Sequence, residues 1–166
     1  MTQTAHGVPD DVSRAIIEQL QEDGRRPYAT IGKAVGLSEA AVRQRVQKLV
    51  DSGVMQIVAV TDPSSVGMAR QAMIAISVVG NTLTVAAALE KIDEVDYVVL
   101  TAGSHDLLVE VVVEDDDQLL SLINERIRAI EGVARTETFV YLKLVKQTYN
   151  WGAHGAGRNP RTKEIQ

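Results

Sequence analysis

Along the first third of the chain the hydrophobic residues recur at helical spacing. Val12, Ile16, Ile17 and Leu20 fall at i, i+4, i+5 and i+8, one stripe of a helix that ends near Asp23-Gly24. Ile31, Ala34 and Val35 mark a short second helix stopped by Gly36. Ser38 is a good N-cap, and Glu39 behind it suits the positive helix end. Val42, Val46, Leu49 and Val50 give a third stripe, closed by Gly53 as a C-cap. The segment therefore predicts three short helices, the last two joined by a tight turn containing glycine.

After Gly53 the period changes. "VMQIVAVTD" (54–62) predicts a strand and "DPSSVG" a turn or linker. "QAMIAISVV" (71–79) is strand-like, and "TVAAALEKI" puts Val85, Ala88, Leu89 and Ile92 on one helical face. "DYVVLTA" (96–102) and "DLLVEVVVE" (106–114) are β-rich runs separated by only "GSH", which predicts a hairpin. "DDQLLSLINERIRAI" stripes Leu119, Leu120, Ile123, Ile127 and Ile130, and "ARTETFVYLKLVK" (134–146) supplies a last strand. The order β-α-β-β-α-β is that of a ferredoxin-like split unit. The expected fold is α+β. Residues 1–53 form a helix-turn-helix domain, 54–70 a linker strand and turn, 71–147 a ferredoxin-like domain, and 148–166 a flexible tail.

Composition narrows the class. Of 166 residues, 45% are hydrophobic but only 4% aromatic, so the cores are built from aliphatic side chains. Cysteine is absent, which excludes disulfides and thiolate metal sites and fits a reducing compartment. The first residues carry neither a basic nor an apolar leader segment, and no apolar run approaches the ~20 residues of a membrane span, so a cytoplasmic protein is expected. The net charge of −5 speaks against nucleic acid until its distribution is considered. Residues 1–60 hold seven basic and seven acidic side chains; the remainder holds ten and fifteen. Within 25–48, Arg25, Arg26, Lys33, Arg43, Arg45 and Lys48 face the single acid Glu39. Screening confines each charge to about 10 Å at moderate salt, so this local excess outweighs the global deficit.

On a helix from Ser38 to Asp51 the apolar positions are committed to a core. Ala40, Arg43, Gln44 and Gln47 lie on the other side, with Glu39 and Ala41 at the exposed start. The second helix of a helix-turn-helix enters the major groove with its N-terminal residues toward base edges. Arg43 is placed for guanine O6 and N7, Gln44 or Gln47 for adenine, and two alanines for thymine methyls. Arg26, Tyr28, Thr30, Lys33, Arg45 and Lys48 are candidates for phosphate contacts. A polar helix face taken alone is more often simply solvated. Helix spacing, the "GLS" turn and the basic excess together favour DNA.

"DGRRPYATIGKAVGLSEAAVRQRVQKLVDSGVMQ" resembles the helix-turn-helix of the Lrp/AsnC family of prokaryotic transcription regulators. The β-α-β-β-α-β half resembles that family's effector and oligomerisation domain, and the likeness spans roughly residues 10–147. It implies a regulator of transcription in which an amino acid or related metabolite binds between dimers, with four dimers often closing into an octamer. The hairpin loop "AGSHDLLVEV" would line that pocket. Gly103 and Asp106 match the family pattern, Ser104 sits at a variable position, and His105 replaces the usual aromatic. Ala102 and the Gly103 amides would hold a carboxylate and Asp106 an ammonium, with Thr136 and Thr138 as a second wall. From the residues alone, Gly103 is there to tolerate unusual backbone angles, Asp106 is as readily a turn cap, and the threonines are ordinary strand residues.

His105 and Asp106 are neighbours on a hairpin whose side chains leave opposite faces, and His6 and His154 lie in the tails, so neither a metal site nor a hydrolytic centre is expected. The run "VEDDDQ" lacks the spaced ligands and glycine of a calcium loop. No cofactor and no enzymatic activity are expected. One face of the sheet alternates too many apolar residues to remain in water, which predicts a homodimer. The competing reading is an architectural DNA-binding protein with little sequence preference and no effector. An enzyme built on the ferredoxin-like half leaves the first 53 residues without a role.

Overall fold

The computed structural model describes residues 8–147, and these form two compact units, divided between Ala59 and Val60. The expected tail and the histidines at 6 and 154 lie outside the described residues.

The first unit contains α1 (Asp11–Glu22), α2 (Tyr28–Val35) and α3 (Glu39–Asp51). Side chains start two of them: Asp10 accepts from the Ser13 N–H and Ser38 from the Ala41 N–H. Gly36 ends α2 at φ 72°, a left-handed conformation that glycine adopts without a Cβ penalty. Ile16, Leu20, Ile31, Val42 and Val46 form the core, with Val12, Tyr28, Val35, Leu37 and Met55 packed at its edge. Two stripe positions depart from expectation: Ala34 is exposed and Val50 is 37% exposed. Both lie at the margin of a stripe only wide enough for one helix to cross another.

The expected strand over 54–62 does not form; residues 55–62 carry no regular secondary structure and no ladder partner among the described residues, and Ile57, Val58 and Val60 are exposed. A strand exists only when its backbone groups are paired in a ladder, and among the described residues these form none.

The second unit contains β1 (Arg70–Val78), α4 (Thr82–Leu89), β2 (Val95–Leu100), β3 (Leu107–Val113), α5 (Asp116–Ser121) continuing as a π-helical stretch (Leu122–Ile127), and β4 (Val133–Val140). The sheet order is β2-β3-β1-β4 and every neighbouring pair is antiparallel, the ferredoxin-like arrangement. Ile74, Ile76, Leu107, Val109 and Val111 pack under Val85, Leu89, Leu119, Leu122 and Ile127. The π turn sets the inward face of the last helix. Its i→i+5 hydrogen bonds keep Leu122 and Ile127, five apart, on the buried face begun by Leu119, while the expected Leu120 is 59% exposed. The last strand ends at Val140 rather than residue 146, leaving Leu142, Leu144 and Val145 exposed.

The opposite sheet face carries Met73, Leu108, Val112, Tyr97 and Phe139, and among the described residues of this unit no helix covers it. Glu110 interrupts that face. It accepts from the Gln71 amide at 2.9 Å and from the Tyr141 phenol; burial, then this carboxylate, push the phenol pKa up to about 12.

Candidate nucleic-acid interface and effector loop

The turn between α2 and α3 is tight because Gly32 lies against it. A Cβ there would come within 2.5 Å of the Leu37 carbonyl oxygen, and the Gly32 carbonyl accepts from the Leu37 N–H at 2.9 Å. Gly32 was not among the expected site residues. Its signal is a glycine inside a helical run, where alanine is otherwise better by roughly 1 kcal/mol.

With α2 held this close, α3 presents an open surface formed by Ala40, Arg43, Gln44, Gln47 and Lys48. Thr30 and Lys33 are exposed on α2, and Ala41 is half-buried. Arg43 donates to Glu39 at 2.9 Å, and its guanidinium carbon lies 5.2 Å from the centre of the Tyr28 ring. Gln47 donates to Asp51 at 2.7 Å. Ser38 is occupied as the cap of α3.

Two expected phosphate contacts are already engaged. Arg45 donates through Nη1 to both oxygens of Asp10 and to the Ser13 hydroxyl, tying α3 to the start of α1. The hydrogen bonds from Arg45 and Ser13 hold the Asp10 carboxyl well below the usual carboxylate range. Arg26 bonds Gln19 and Glu22 and is half-buried. Among the described residues of the three-helix segment, Arg25, Lys33 and Lys48 are exposed cations without a carboxylate partner.

In the second unit the connection between β2 and β3 is fastened at its base. Thr101 donates its N–H to the Asp106 carbonyl at 2.9 Å and its hydroxyl to the His105 carbonyl at 2.6 Å. The Asp106 N–H donates to the Ile76 carbonyl, and Asp106 Oδ2 accepts from the Val78 N–H at 2.8 Å, where the pairing of β1 with β4 shifts register. Asp106 thus acts as a cap. At the tip, Ala102, Gly103 and Ser104 are exposed, and among the described residues their N–H groups have no acceptor. Gly103 departs from expectation: its φ is not positive, and an added Cβ would meet nothing within 4 Å. Neither conformation nor space within the chain requires glycine there.

His105 lies over the helix-free face, with Nδ1 3.4 Å from the Ser77 hydroxyl and Nε2 3.4 Å from Glu137. Thr136 and Thr138 stand directly opposite Ile76 and Ile74, on the helix-covered side, and Thr136 accepts from Arg128 at 2.9 Å. Paired residues share a sheet face. The two threonines and His105 therefore do not converge within one chain. Among the described residues no group of three or more His, Cys, Asp or Glu side chains is placed to hold a metal, and no helix is long and apolar enough to cross a membrane.

A helix-turn-helix followed by a helix-backed antiparallel sheet with an exposed loop defines a two-part DNA-binding regulator. Family models agree: an AsnC-type helix-turn-helix domain matches residues 10–50, and the Lrp/AsnC ligand-binding domain matches residues 71–151. The HTH-type transcriptional regulator FL11 of Pyrococcus furiosus is 35% identical, covering 86% of this chain and 95% of its own. The leucine response regulatory protein of Mycobacterium tuberculosis has a similar structure, with TM-score 0.76, 31% identity and coverage of 84% and 96%. A Neisseria meningitidis transcriptional regulator in complex with L-Met gives TM-score 0.74 at 26% identity, covering 85% and 94%. The chain belongs to the Lrp/AsnC family of transcriptional regulators.

Proposed function

We propose that this regulator binds specific DNA sequences through α3 and answers to an amino acid, or a closely related metabolite, held between dimers of the second unit. The observation that carries the DNA reading is the outward surface of α3, where Ala40, Arg43, Gln44 and Gln47 stand clear of the core. Lys33, Lys48 and Thr30 hold the phosphates; Arg45 and Arg26 contribute chiefly by bracing the helices. Such contacts fix register, whereas base edges supply the discrimination.

The effector reading rests on the loop tip. The amides of Ala102, Gly103 and Ser104 are unfilled donors for a carboxylate, and the open space at Gly103 admits a ligand close to the backbone. Asp106 retains a carboxylate oxygen for an ammonium while its other oxygen caps Val78. His105 lines the side of the site. The relative bound to L-Met supports this ligand class. Thr136 and Thr138, on the far face, reach a ligand only if it is shared with another subunit.

The helix-free face is the dimer surface, and dimers assemble further toward an octamer in which effector binding shifts the balance of assemblies. Coupling of this kind typically amounts to 1–3 kcal/mol. The protein acts in the cytoplasm and performs no catalysis. Placing a charge on the face, as in Phe139→Asp, reduces the species seen in sedimentation to monomer. An unchanged sedimentation profile would assign the dimer to another surface.

The decisive experiment measures binding to the gene's own upstream DNA against a random-sequence control, with each of the twenty amino acids added in turn. Sequence preference altered by one amino acid supports the full reading. Preference that no amino acid alters removes the amino-acid effector. Binding without preference at moderate salt replaces both with DNA packaging.

A further inference from the structure

The Arg43 guanidinium is gripped from two sides. Its edge meets the Glu39 carboxylate one helical turn back, Nη2 to Oε1 at 2.9 Å, and its face lies over the Tyr28 ring. Tyr28 is itself half-buried against the core, so the ring is a fixed platform. Side chains of Arg43 and Glu39 are 65% and 53% exposed. An ion pair that exposed adds little stability. What it changes is where the guanidinium points.

The geometry leaves specific atoms over. Arginine has five N–H donors in a planar fork. With one Nη2 hydrogen on Glu39, the second Nη2 hydrogen and Nη1 still form the two-pronged contact to guanine O6 and N7. Glu39 keeps Oε2, which has no partner among the described residues. A carboxylate is an acceptor only. Carried into a groove walled by one phosphate charge per ~1.7 Å, an unfilled carboxylate oxygen is strongly unfavourable unless a base edge offers a donor. In the major groove the donors are the exocyclic amines, cytosine N4 and adenine N6.

We propose that Glu39 is a specificity-determining residue. It holds Arg43 in register for a guanine and admits, at the adjoining base position, only a base that presents an exocyclic amine. Every base pair carries one exocyclic amine in the major groove, so what the carboxylate reads is the strand that presents it; a guanine or thymine turned toward Glu39 offers only acceptors, and selectivity is gained by rejection as well as by attraction. This rests on α3 being the base-reading helix.

The test is selection from a randomised double-stranded DNA library with the full chain, its Glu39→Gln variant and its Arg43→Ala variant. Glutamine preserves length and removes the charge. The expected wild-type profile has a guanine flanked by cytosine or adenine. In Glu39→Gln the guanine persists, the neighbouring preference falls about tenfold, and affinity for random DNA rises. In Arg43→Ala the guanine preference itself is lost. A Glu39→Gln profile identical to wild type at the neighbouring position overturns the proposal while leaving α3 as the reading helix. A wild-type selection that enriches no sequence overturns that underlying reading and this one with it.

Discussion

Asp106 holds the loop by one oxygen and is proposed to hold a ligand by the other, and two substitutions separate these tasks. Asp106→Ala strands the Val78 N–H and should cost about 1–3 kcal/mol, read as a lower denaturant midpoint. Asp106→Asn restores an acceptor and should recover most of that stability while removing the charge an ammonium needs. If Asn responds to effector as wild type does, the carboxylate is a cap alone. The sequence presented both roles without choosing, because a turn aspartate and a ligand aspartate share one local pattern. Arg45 was equally opaque: its partner Asp10 lies 35 positions away, and no local pattern announces a long-range ion pair. Arg26, by contrast, pairs with Glu22 at i,i+4, a spacing the sequence displays.

At the scale of elements, boundaries followed the hydrophobic period wherever a single period ran through the segment. Five helices, four strands and their order were legible for that reason. The period fails where the backbone changes its pitch. In the run from Asp116 to Ile127 the buried positions are Leu119, Leu122 and Ile127: the first step is an ordinary i,i+3 pair, and the five-residue step across the π stretch is the one a 3.6-residue template misses. Leu122→Ala should therefore cost about 2–5 kcal/mol and Leu120→Ala almost nothing, measured by chemical unfolding. Equal losses would place both in the core. Unpaired segments are invisible for another reason: "VMQIVAV" has strand composition, but a ladder needs a partner that composition does not specify. The turn into α3 is the element most sensitive to bulk. Gly32→Ala meets backbone rather than a yielding side chain, so a loss of about 1–3 kcal/mol in the first unit, with weakened DNA binding, is expected.

For the whole molecule, acidity acts on both units through paired carboxylates. Asp10 with Arg45 in the first unit and Asp116 with Arg70 in the second have folded pKa values below those of the unfolded chain, chiefly through side-chain hydrogen bonds. A depressed folded pKa contributes stability that is complete above the unfolded value near 4 and is lost as pH falls further. The thermal midpoint should thus fall below about pH 4. In Asp10→Asn it should be lower at neutrality and vary less in that range; an unchanged slope would remove Asp10 from the acid response.

Met55 is packed against the first core, the 3₁₀ turn at Pro63–Val66 opens the second unit, and residues 56–62 between them hold no ladder. Seven residues have a contour of roughly 24 Å, less than the 34–36 Å of one duplex turn. This stretch is a leash of fixed maximum length. On the proposed reading of paired half-sites, the linker's length sets an upper bound on the half-site spacings one dimer can tolerate: a shift of a few base pairs falls within its contour and a shift of a whole duplex turn does not.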